Sequence, residues 1–368
     1  MQSDRREFVA MCSGALAGSV LGPSAAMAAA PSRLGPDGRQ KIIIDTDPGV
    51  DDAFALLLAM TSPELELLAV TAVAGNVPLD LTLPNALRMV EIAGRTDIPV
   101  AGGAAAPLLR TLVDATYAHG DNGLAGVVFP APRLRPVAEP AASLIGMLVR
   151  KHPGEVTLVG IGPLTNVAIA LRQDPALASM IRGIVLMGGS LSEGNVTPSA
   201  EFNFYVDPEA ASMVFRSGVP IRMVGLDVTR QVDLTEEHLA ALRAGRNPVS
   251  DAAARIGSAV MAMYRREGEV GAPHLHDPLA VSALLASDVL TFEDYRVEIE
   301  ATGTLTAGES VGWRGGAGRF CLSAPLANGP QPASGAGCSI AVNAKVATSV
   351  RPDVFFNLLI SHLTHATV

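Results

Sequence analysis

The sequence has few of the residues that mark several common protein classes. Its 368 residues include three cysteines and one tryptophan, and aromatic residues make up 4% of the chain. Three cysteines cannot build a disulfide framework for a protein of this length. Basic residues are outnumbered, with 27 Lys and Arg against 36 Asp and Glu and a formal net charge of −9. This balance argues against nucleic acid as the main partner, because basic surface is what binds phosphate backbones.

Charged residues are also scarce, at 17% of the chain, whereas 49% of the residues are hydrophobic. A chain with this much apolar material can bury an extensive core, which excludes global disorder. The length suits either two average domains or one large α/β domain. The mean hydropathy is +0.33, so part of the apolar excess must be assigned to a core, a membrane segment or an export signal.

Some of that excess lies at the N-terminus. Arg5 and Arg6 precede an apolar stretch from Phe8 to Leu21, and the pair resembles a twin-arginine export signal. Ala26-Met27-Ala28 follows as a plausible cleavage site. The stretch is too short and too rich in small residues for a membrane span, and no later run reaches about 18 uninterrupted apolar residues.

We therefore expect residues 1–30 to be a twin-arginine-type export signal that is cleaved, and residues 31–40 to be a linker. Residues 41–368 then form one domain, and the mature protein is periplasmic or secreted and has no membrane association. An N-terminal anchor or an incidental basic start is the alternative. In an oxidising compartment Cys321 and Cys338 could pair, although nothing in the sequence indicates that they do.

The rest of the chain alternates between strand and helix patterns. Residues 41–44 are a short apolar run typical of a strand buried on both faces, and residues 50–60 follow with a helical pattern. The alternation continues to residue 224 and predicts an α/β fold, with a single doubly wound, mostly parallel sheet and flanking helices. Mainly helical patterns then extend to about residue 285. Strand patterns follow at residues 295–302, 303–313 and 339–346.

Four carboxylates lie where the first predicted strand meets the first predicted helix. Asp45, Asp47, Asp51 and Asp52 fall within eight residues, at the carboxyl edge of the sheet where open α/β sheets bind ligands. The helix N-terminus favours negative charge, but four carboxylates together repel one another. A hard cation such as Ca²⁺ or Mg²⁺ resolves that conflict, because it selects oxygen ligands. The alternative is that one Asp caps the helix and the others face solvent.

Phosphatases that use an aspartyl nucleophile also carry Asp-x-Asp after a buried strand. They need a lysine and a further acidic pair downstream, and after the acidic loop this chain has only Lys151 and Lys345. The scarcity of lysine therefore argues against phosphoryl transfer.

The stretch from Asp45 to Asp52 closely resembles the N-terminal signature of the inosine–uridine-preferring nucleoside hydrolases. Further blocks similar to that family follow in the family's order: Ala74-Gly75-Asn76, His119-Gly120, Gly160 to Asn166, Leu186 to Gly189, Glu193-Gly194-Asn195, Ala200 to Asn203, Asp207 to Ala210 and His276-Asp277-Pro278. Together they cover nearly everything from Lys41 to the C-terminal region. The resemblance implies a hydrolase with a doubly wound α/β fold. Such an enzyme uses Ca²⁺ to cleave the N-glycosidic bond of ribonucleosides, which gives ribose and free base.

The resemblance also implies roles for individual residues. The carboxylates of Asp47, Asp52 and Asp277 and the main-chain carbonyl of Ile161 correspond to the calcium ligands. Asp51 corresponds to the general base that activates a calcium-bound water, which accords with the lowered pKa of such a water.

The remaining roles concern the leaving base and the nucleoside. His276 is the candidate that protonates or hydrogen-bonds the leaving base, and His274 could compete for that role. The other expected substrate contacts are Asn76, Asn195, Glu201 and Asn203 around the ribose, and His119, Met187, Phe202 and Tyr264 as further lining. Met187 and Tyr264 could equally be ordinary packing residues.

The expected partners are a small-molecule ribonucleoside and further copies of the chain in a dimer or tetramer. Two alternatives stay open: an exported nucleoside- or sugar-binding protein without turnover, and a hydrolase of another N-riboside. Purines and pyrimidines are equally compatible with the sequence.

Changing Arg5 and Arg6 together to lysine tests the export signal. We expect the doubly substituted chain to remain in the cytoplasmic fraction, because twin-arginine signals depend on the paired arginines. Fractionation of cells that express each chain measures this. The control is Arg33→Lys, which makes the same chemical change beyond the signal. Equal distribution of all three chains would refute the export prediction.

Overall fold

The computed structural model describes residues 38–268, 271–314, 316–317 and 339–366. They all belong to one unit, Arg33–Val368. The predicted export segment and the two cysteines Cys321 and Cys338 lie outside the described residues. In the described part of the chain, no helix is both long and apolar enough to cross a membrane.

A nine-stranded sheet forms the centre of the fold. The strands of the structure are β1 Gln40–Thr46, β2 Leu65–Ala72, β3 Val100–Gly102, β4 Thr157–Gly160, β5 Gly183–Met187, β6 Ile221–Val224, β7 Leu290–Ile299, β8 Ser310–Arg314, β9 Gly316–Ala317, β10 Ser339–Ile340 and β11 Ala344–Val350. The sheet order is β3-β2-β1-β4-β5-β6-β11-β7-β8, and β9 pairs separately with β10. The first seven strands in that order are parallel, and β7 and β8 add an antiparallel edge. The predicted mostly parallel sheet is therefore confirmed.

Helices cover both faces of this sheet. They are α1 Val50–Thr61, α2 Leu79–Ile92, α3 Thr116–His119, α4 Ala141–Lys151, α5 Thr165–Gln173, α6 Phe202–Val206, α7 Pro208–Phe215, α8 Leu226–Thr229, α9 Glu236–Ala244, α10 Pro248–Glu267, α11 His276–Ser282 and α12 Pro352–Thr364, with a 3₁₀ turn at Pro175–Ser179. Alternate residues of β1 face opposite sides, as a strand requires. Ile42 and Ile44 join the core under α1, α2 and α9 to α12, and Ile43 joins the core under α4, α5 and α7.

The sheet order reverses at β1, and this reversal positions the site. From β1 the chain crosses to β2 on one side, and β4 lies against β1 on the other. Diverging crossovers leave a crevice at the carboxyl ends of the two strands, where open α/β sheets bind ligands. Asp45 near the end of β1 is in register with Gly160 at the end of β4.

Some predicted boundaries differ from the structure. The predicted strand at residues 303–313 is confined to β8, because residues 302–308 turn back on themselves and Gly308 has φ +87°. The predicted strand at residues 339–346 divides into β10 and β11. The C-terminal helix α12 and the short helix α6 were absent from the sequence-based assignment.

Phe54 gives a test of how far the fold depends on α1. Its side chain is completely buried in the core beneath the sheet, so Phe54→Ala should lower the free energy of unfolding by about 3–5 kcal/mol. Chemical denaturation measures the change. Leu109→Ala, at a position 80% exposed, is the control and should cost less than about 0.5 kcal/mol. Similar losses in both variants would contradict the central position of α1.

Candidate active site

A cavity of about 340 Å³ opens at the carboxyl edge of the sheet, within the size range of small-molecule sites. It is lined by Val50, Asp51, Asn76, Ala115, Tyr117, Ala118, His119, Ile161, Met187, Asn195, Glu201, Phe202, Asn203, Arg230, Val260, Tyr264, Pro273, His274, His276 and Asp277. These residues come from loops, helices and a strand end far apart in the sequence, and the fold brings them together at the sheet edge.

Asp52 is completely buried and accepts hydrogen bonds on both carboxylate oxygens. The Thr46 hydroxyl donates to Oδ1 at 2.5 Å, and the backbone N–H of Gly49 donates to Oδ2 at 2.9 Å. The second bond closes the first turn of α1 in the manner of a capping box. The Asn76 amide also donates to Oδ2, at 2.9 Å. Asp52 therefore caps the helix, as one alternative proposed, while its carboxylate stays away from solvent.

Asp47 lies beside it with one oxygen satisfied and one not. The backbone N–H of Asn76 donates to Oδ2 at 2.7 Å, whereas Oδ1 is buried and has no hydrogen-bond partner among the described residues. Gly75 and Gly162 allow this position, because a Cβ at either residue would lie 2.0 Å or 2.5 Å from a carboxylate oxygen of Asp47. An orphaned carboxylate oxygen in such a cradle suits a cation.

Asp51 and Asp277 complete the acidic floor. Ligand oxygens of Asp51, Asp52 and Asp277 all lie within 4.8 Å of one another. Burial raises the pKa of Asp51 to about 6, and burial together with the other carboxylates raises the pKa of Asp277 well above its usual value. In the described part of the chain no Lys or Arg forms an ion pair with these groups. The donor set, made of oxygen atoms, fits a hard divalent metal ion.

Asp45, the first carboxylate of the acidic loop, is directed elsewhere. Its Oδ1 accepts hydrogen bonds from the Thr71 hydroxyl at 2.5 Å and the Asn166 amide at 2.8 Å. Asn166 also bonds to Ala72 and Ala104, so this group ties together the ends of neighbouring strands. Its Oδ2 is buried with no hydrogen-bond partner among the described residues, and burial raises the pKa of Asp45 to about 7. The expectation that one cation offsets the repulsion of all four carboxylates is thus wrong for Asp45, whose Oδ1 joins the ends of neighbouring strands.

The residues expected around the ribose form a second wall. Glu201 is the N-cap of α6 and accepts hydrogen bonds from backbone N–H groups, including that of Gly189 at 2.8 Å; burial raises its pKa to about 7. The Asn203 amide donates to the Met187 carbonyl at 3.2 Å and to the Ile161 carbonyl at 3.4 Å. Asn195 accepts from the backbone N–H of Phe202. These contacts hold polar side chains at the cavity surface.

Two histidines line the cavity beside the carboxylates. The backbone N–H of Val50 donates to His119 Nδ1 at 3.0 Å, and burial lowers the pKa of His119 to about 4. His276 Nδ1 lies 2.7 Å from the Thr229 hydroxyl oxygen. Burial, with a smaller contribution from the nearby Arg230, lowers the pKa of His276 to about 3. Both rings are therefore neutral at neutral pH.

His274 also lines the cavity, and its Nδ1 lies 2.7 Å from an oxygen of Asp233. Its ring meets that of His276 edge-on, with centroids 5.5 Å apart. His274, the alternative to His276 as the residue that acts on the leaving base, therefore lies at the same part of the cavity.

Each residue predicted for the site lies at this cavity or directly beneath it. Asp47 and Asp52 are beneath the surface, and the other twelve line it: Asp51, Asn76, His119, Ile161, Met187, Asn195, Glu201, Phe202, Asn203, Tyr264, His276 and Asp277. Sequence reasoning missed Thr229, Arg230 and Tyr117. Arg230 donates to the carbonyls of Glu193 and Gly194. None of the three lies in a recognisable motif.

Comparison with known proteins gives a consistent result. The family model described as inosine-uridine preferring nucleoside hydrolase matches residues 42–357. The pyrimidine-specific ribonucleoside hydrolase RihA of Shewanella woodyi is 47% identical over 273 residues, which cover 73% of this chain and 87% of that protein. RihA of Salmonella schwarzengrund is 46% identical over 272 residues, with coverages of 73% and 87%.

Solved structures agree with the sequence relatives. A plant nucleoside hydrolase, PpNRh1, superposes with a TM-score of 0.78 at 33% identity, covering 89% of this chain and 99% of that one. A purine-preferring ribonucleoside hydrolase from Gardnerella vaginalis gives 0.78 at 30% identity, with coverages of 88% and 98%. With the acidic floor and the histidine wall at the sheet edge, these matches show that the chain belongs to the inosine-uridine preferring nucleoside hydrolase family and is an N-glycosyl hydrolase of ribonucleosides.

Proposed function

We propose that this protein is an exported, calcium-dependent hydrolase that splits pyrimidine ribonucleosides into ribose and free base. The convergence of Asp51, Asp52 and Asp277 beneath a nucleoside-sized cavity is the observation that carries the proposal. The pyrimidine assignment follows the names of the relatives that share 46–48% identity, in preference to the purine-preferring structure at 30%.

The residues that hold the metal are Asp47, Asp52, Asp277 and the carbonyl of Ile161. The unpartnered oxygen of Asp47 and the oxygen-only donor set support Ca²⁺, which takes six to eight oxygen ligands. When bound, the cation supplies a lowered pKa to a coordinated water and an anchor for ribose hydroxyls.

Asp51 is the proposed general base. Its carboxylate reaches the cavity surface, whereas Asp47 and Asp52 are completely buried, and a pKa of about 6 suits a base that is ionised at neutral pH. Water attacks the anomeric carbon as the bond to the base breaks; its hydroxyl stays on ribose and its proton passes to Asp51. Asp47 is the second candidate, because its free Oδ1 is also available to a water molecule.

His276 acts on the departing base. A nucleobase leaves poorly as a free anion, and a donor at its edge stabilises the negative charge that develops. A neutral ring donates a hydrogen bond, and the overall reaction balances because the elements of water divide between ribose and base. Asn76, Asn195, Glu201 and Asn203 bind the ribose hydroxyls, so a missing hydroxyl leaves buried polar groups unpaired and deoxyribonucleosides react slowly.

The compartment and assembly are part of the proposal. The export signal described above supports a periplasmic or secreted protein, and the family match begins at residue 42, downstream of that signal. The resemblance described above supports a homo-oligomer. An exported binding protein without turnover, and a hydrolase of another N-riboside, are the alternatives that a substrate panel separates.

Asp52→Asn tests the metal site against a matched change in the same loop. We expect this variant to weaken Ca²⁺ binding by at least about tenfold, because a charged ligand oxygen is lost. Asp45→Asn removes a carboxylate whose partners are Thr71 and Asn166 and should retain affinity within about threefold. Isothermal titration of chelator-treated protein measures both. Unchanged affinity in Asp52→Asn, or equal weakening in both, contradicts the assignment.

Free-base release by the purified protein with Ca²⁺ tests the reaction. We expect hydrolysis of uridine and cytidine in preference to inosine, and a fall in kcat of about 100-fold or more in Asp51→Asn, since a general base contributes about 10²–10⁴-fold. Chromatography of the base measures this, with Ca²⁺ affinity checked for each variant.

Three outcomes decide against parts of the proposal. No base release from any ribonucleoside excludes turnover, and release from inosine first overturns the pyrimidine preference. Full activity in Asp51→Asn with a large loss in Asp47→Asn, at unchanged Ca²⁺ affinity, assigns the base to Asp47.

A further inference from the structure

Thr229 ends helix α8 and is completely buried next to the histidine wall. Its hydroxyl oxygen lies 2.7 Å from Nδ1 of His276, across 47 residues of sequence. The two segments are also joined by their backbones, because the N–H of Leu275 donates to the carbonyl of Val232 and the N–H of Leu234 donates to that of Pro273. The contact therefore belongs to a fixed part of the cavity wall.

The direction of this hydrogen bond follows from the groups available. A buried hydroxyl needs an acceptor for its proton. Among the described residues, His276 Nδ1 is the only hydrogen-bond partner of the Thr229 hydroxyl. The hydroxyl therefore donates, and Nδ1 accepts with its lone pair. A neutral imidazole that accepts at Nδ1 carries its proton at Nε2.

We propose that Thr229 is a positioning residue that holds His276 as the Nε2–H tautomer, so that the ring presents a hydrogen-bond donor to the nucleobase as it leaves. No described residue bonds to Nε2, and the ring lines the cavity. The opposite tautomer would direct a lone pair at the base, which repels the negative charge that develops there. The Thr229 hydroxyl, which lies outside the cavity lining, thus determines whether His276 presents an N–H group or a lone pair to the leaving base.

The proposal rests on the proposed function for its kinetic consequence, but the tautomer itself is observable without turnover. Long-range ¹H–¹⁵N spectra of protein labelled in its seven histidines report the protonated nitrogen of each ring, and His276→Gln identifies the signal. We expect the wild-type signal to be the Nε2–H form. We expect Thr229→Val, which keeps the shape and removes the hydroxyl, to mix in the Nδ1–H form. Thr229→Ser should restore the wild-type signal.

Kinetics supply a second readout that a merely structural role would not reproduce. Thr229→Val should lower kcat for ribonucleosides by about tenfold with little change in KM, since a misdirected donor costs about one to two orders of magnitude. The same variant should hydrolyse 4-nitrophenyl riboside at nearly the wild-type rate, because nitrophenolate leaves without help. Ser62→Ala is the control. It removes another buried hydroxyl, at the far end of α1, and should change neither rate.

Each outcome bears on the proposal. A wild-type Nδ1–H signal overturns it directly, even if Thr229→Val fails to fold. An unchanged tautomer and unchanged kcat in Thr229→Val also overturn it, as does an equal loss on both substrates. If the wild type releases no base from any ribonucleoside, the proposed function fails, while the spectra still decide whether Thr229 sets the tautomer.

Discussion

The mutual repulsion of buried carboxylates is the constraint on which the rest of this structure depends. Asp47, Asp51, Asp52 and Asp277 meet at the edge of the sheet, each less than a tenth exposed. Removing an ionised carboxylate from water costs several kcal/mol even after relaxation, and neighbouring like charges add to that cost. The fold offsets part of it with donors that are already fixed: the Thr46 hydroxyl, backbone N–H groups and the start of α1.

Those donors do not satisfy every buried carboxylate. Asp52 has both oxygens satisfied, but Asp47 retains a buried oxygen with no described partner, and the pKa values of Asp51 and Asp277 are raised. A divalent cation with oxygen ligands would offset the repulsion among these carboxylates and satisfy the unpartnered oxygen of Asp47. The unsatisfied carboxylates are thus the feature of the protein that favours binding of a cation at this site.

Much of this arrangement is predictable from the sequence, because it depends on local patterns. The apolar run before Asp45 and the helical pattern after Val50 place Asp51 and Asp52 in the first turn of α1, as the structure has them. Strand alternation also indicates which way Asp45 is directed. Ile43 and Asp45 share one side of β1 because the side-chain period is two, and Ile43 faces the core under α4 and α5.

Other features leave no trace in the local sequence. Thr229 and Arg230 acquire their roles only because the chain segment after β6 lies beside the segment that precedes α11, and neither residue type signals a site. Contacts between distant segments, rather than propensities, decide such cases. The helix α12 is different, because its sequence does carry a helical pattern: Asp353, Asn357 and Ser361 recur every four residues on its exposed face, and Phe355, Phe356, Leu359 and Leu363 are buried.

The two walls of the cavity differ in charge, and that difference matches the reaction. In the proposed reaction, the carboxylates of the floor stabilise the positive character that ribose develops as the N-glycosidic bond breaks. Burial keeps His119 and His276 neutral at neutral pH, and the nearby Arg230 donates to the carbonyls of Glu193 and Gly194. In the proposed reaction His276 therefore acts on the departing base as a neutral hydrogen-bond donor. Under that proposal the cavity stabilises positive character on ribose through its carboxylates and negative character on the departing base through His276.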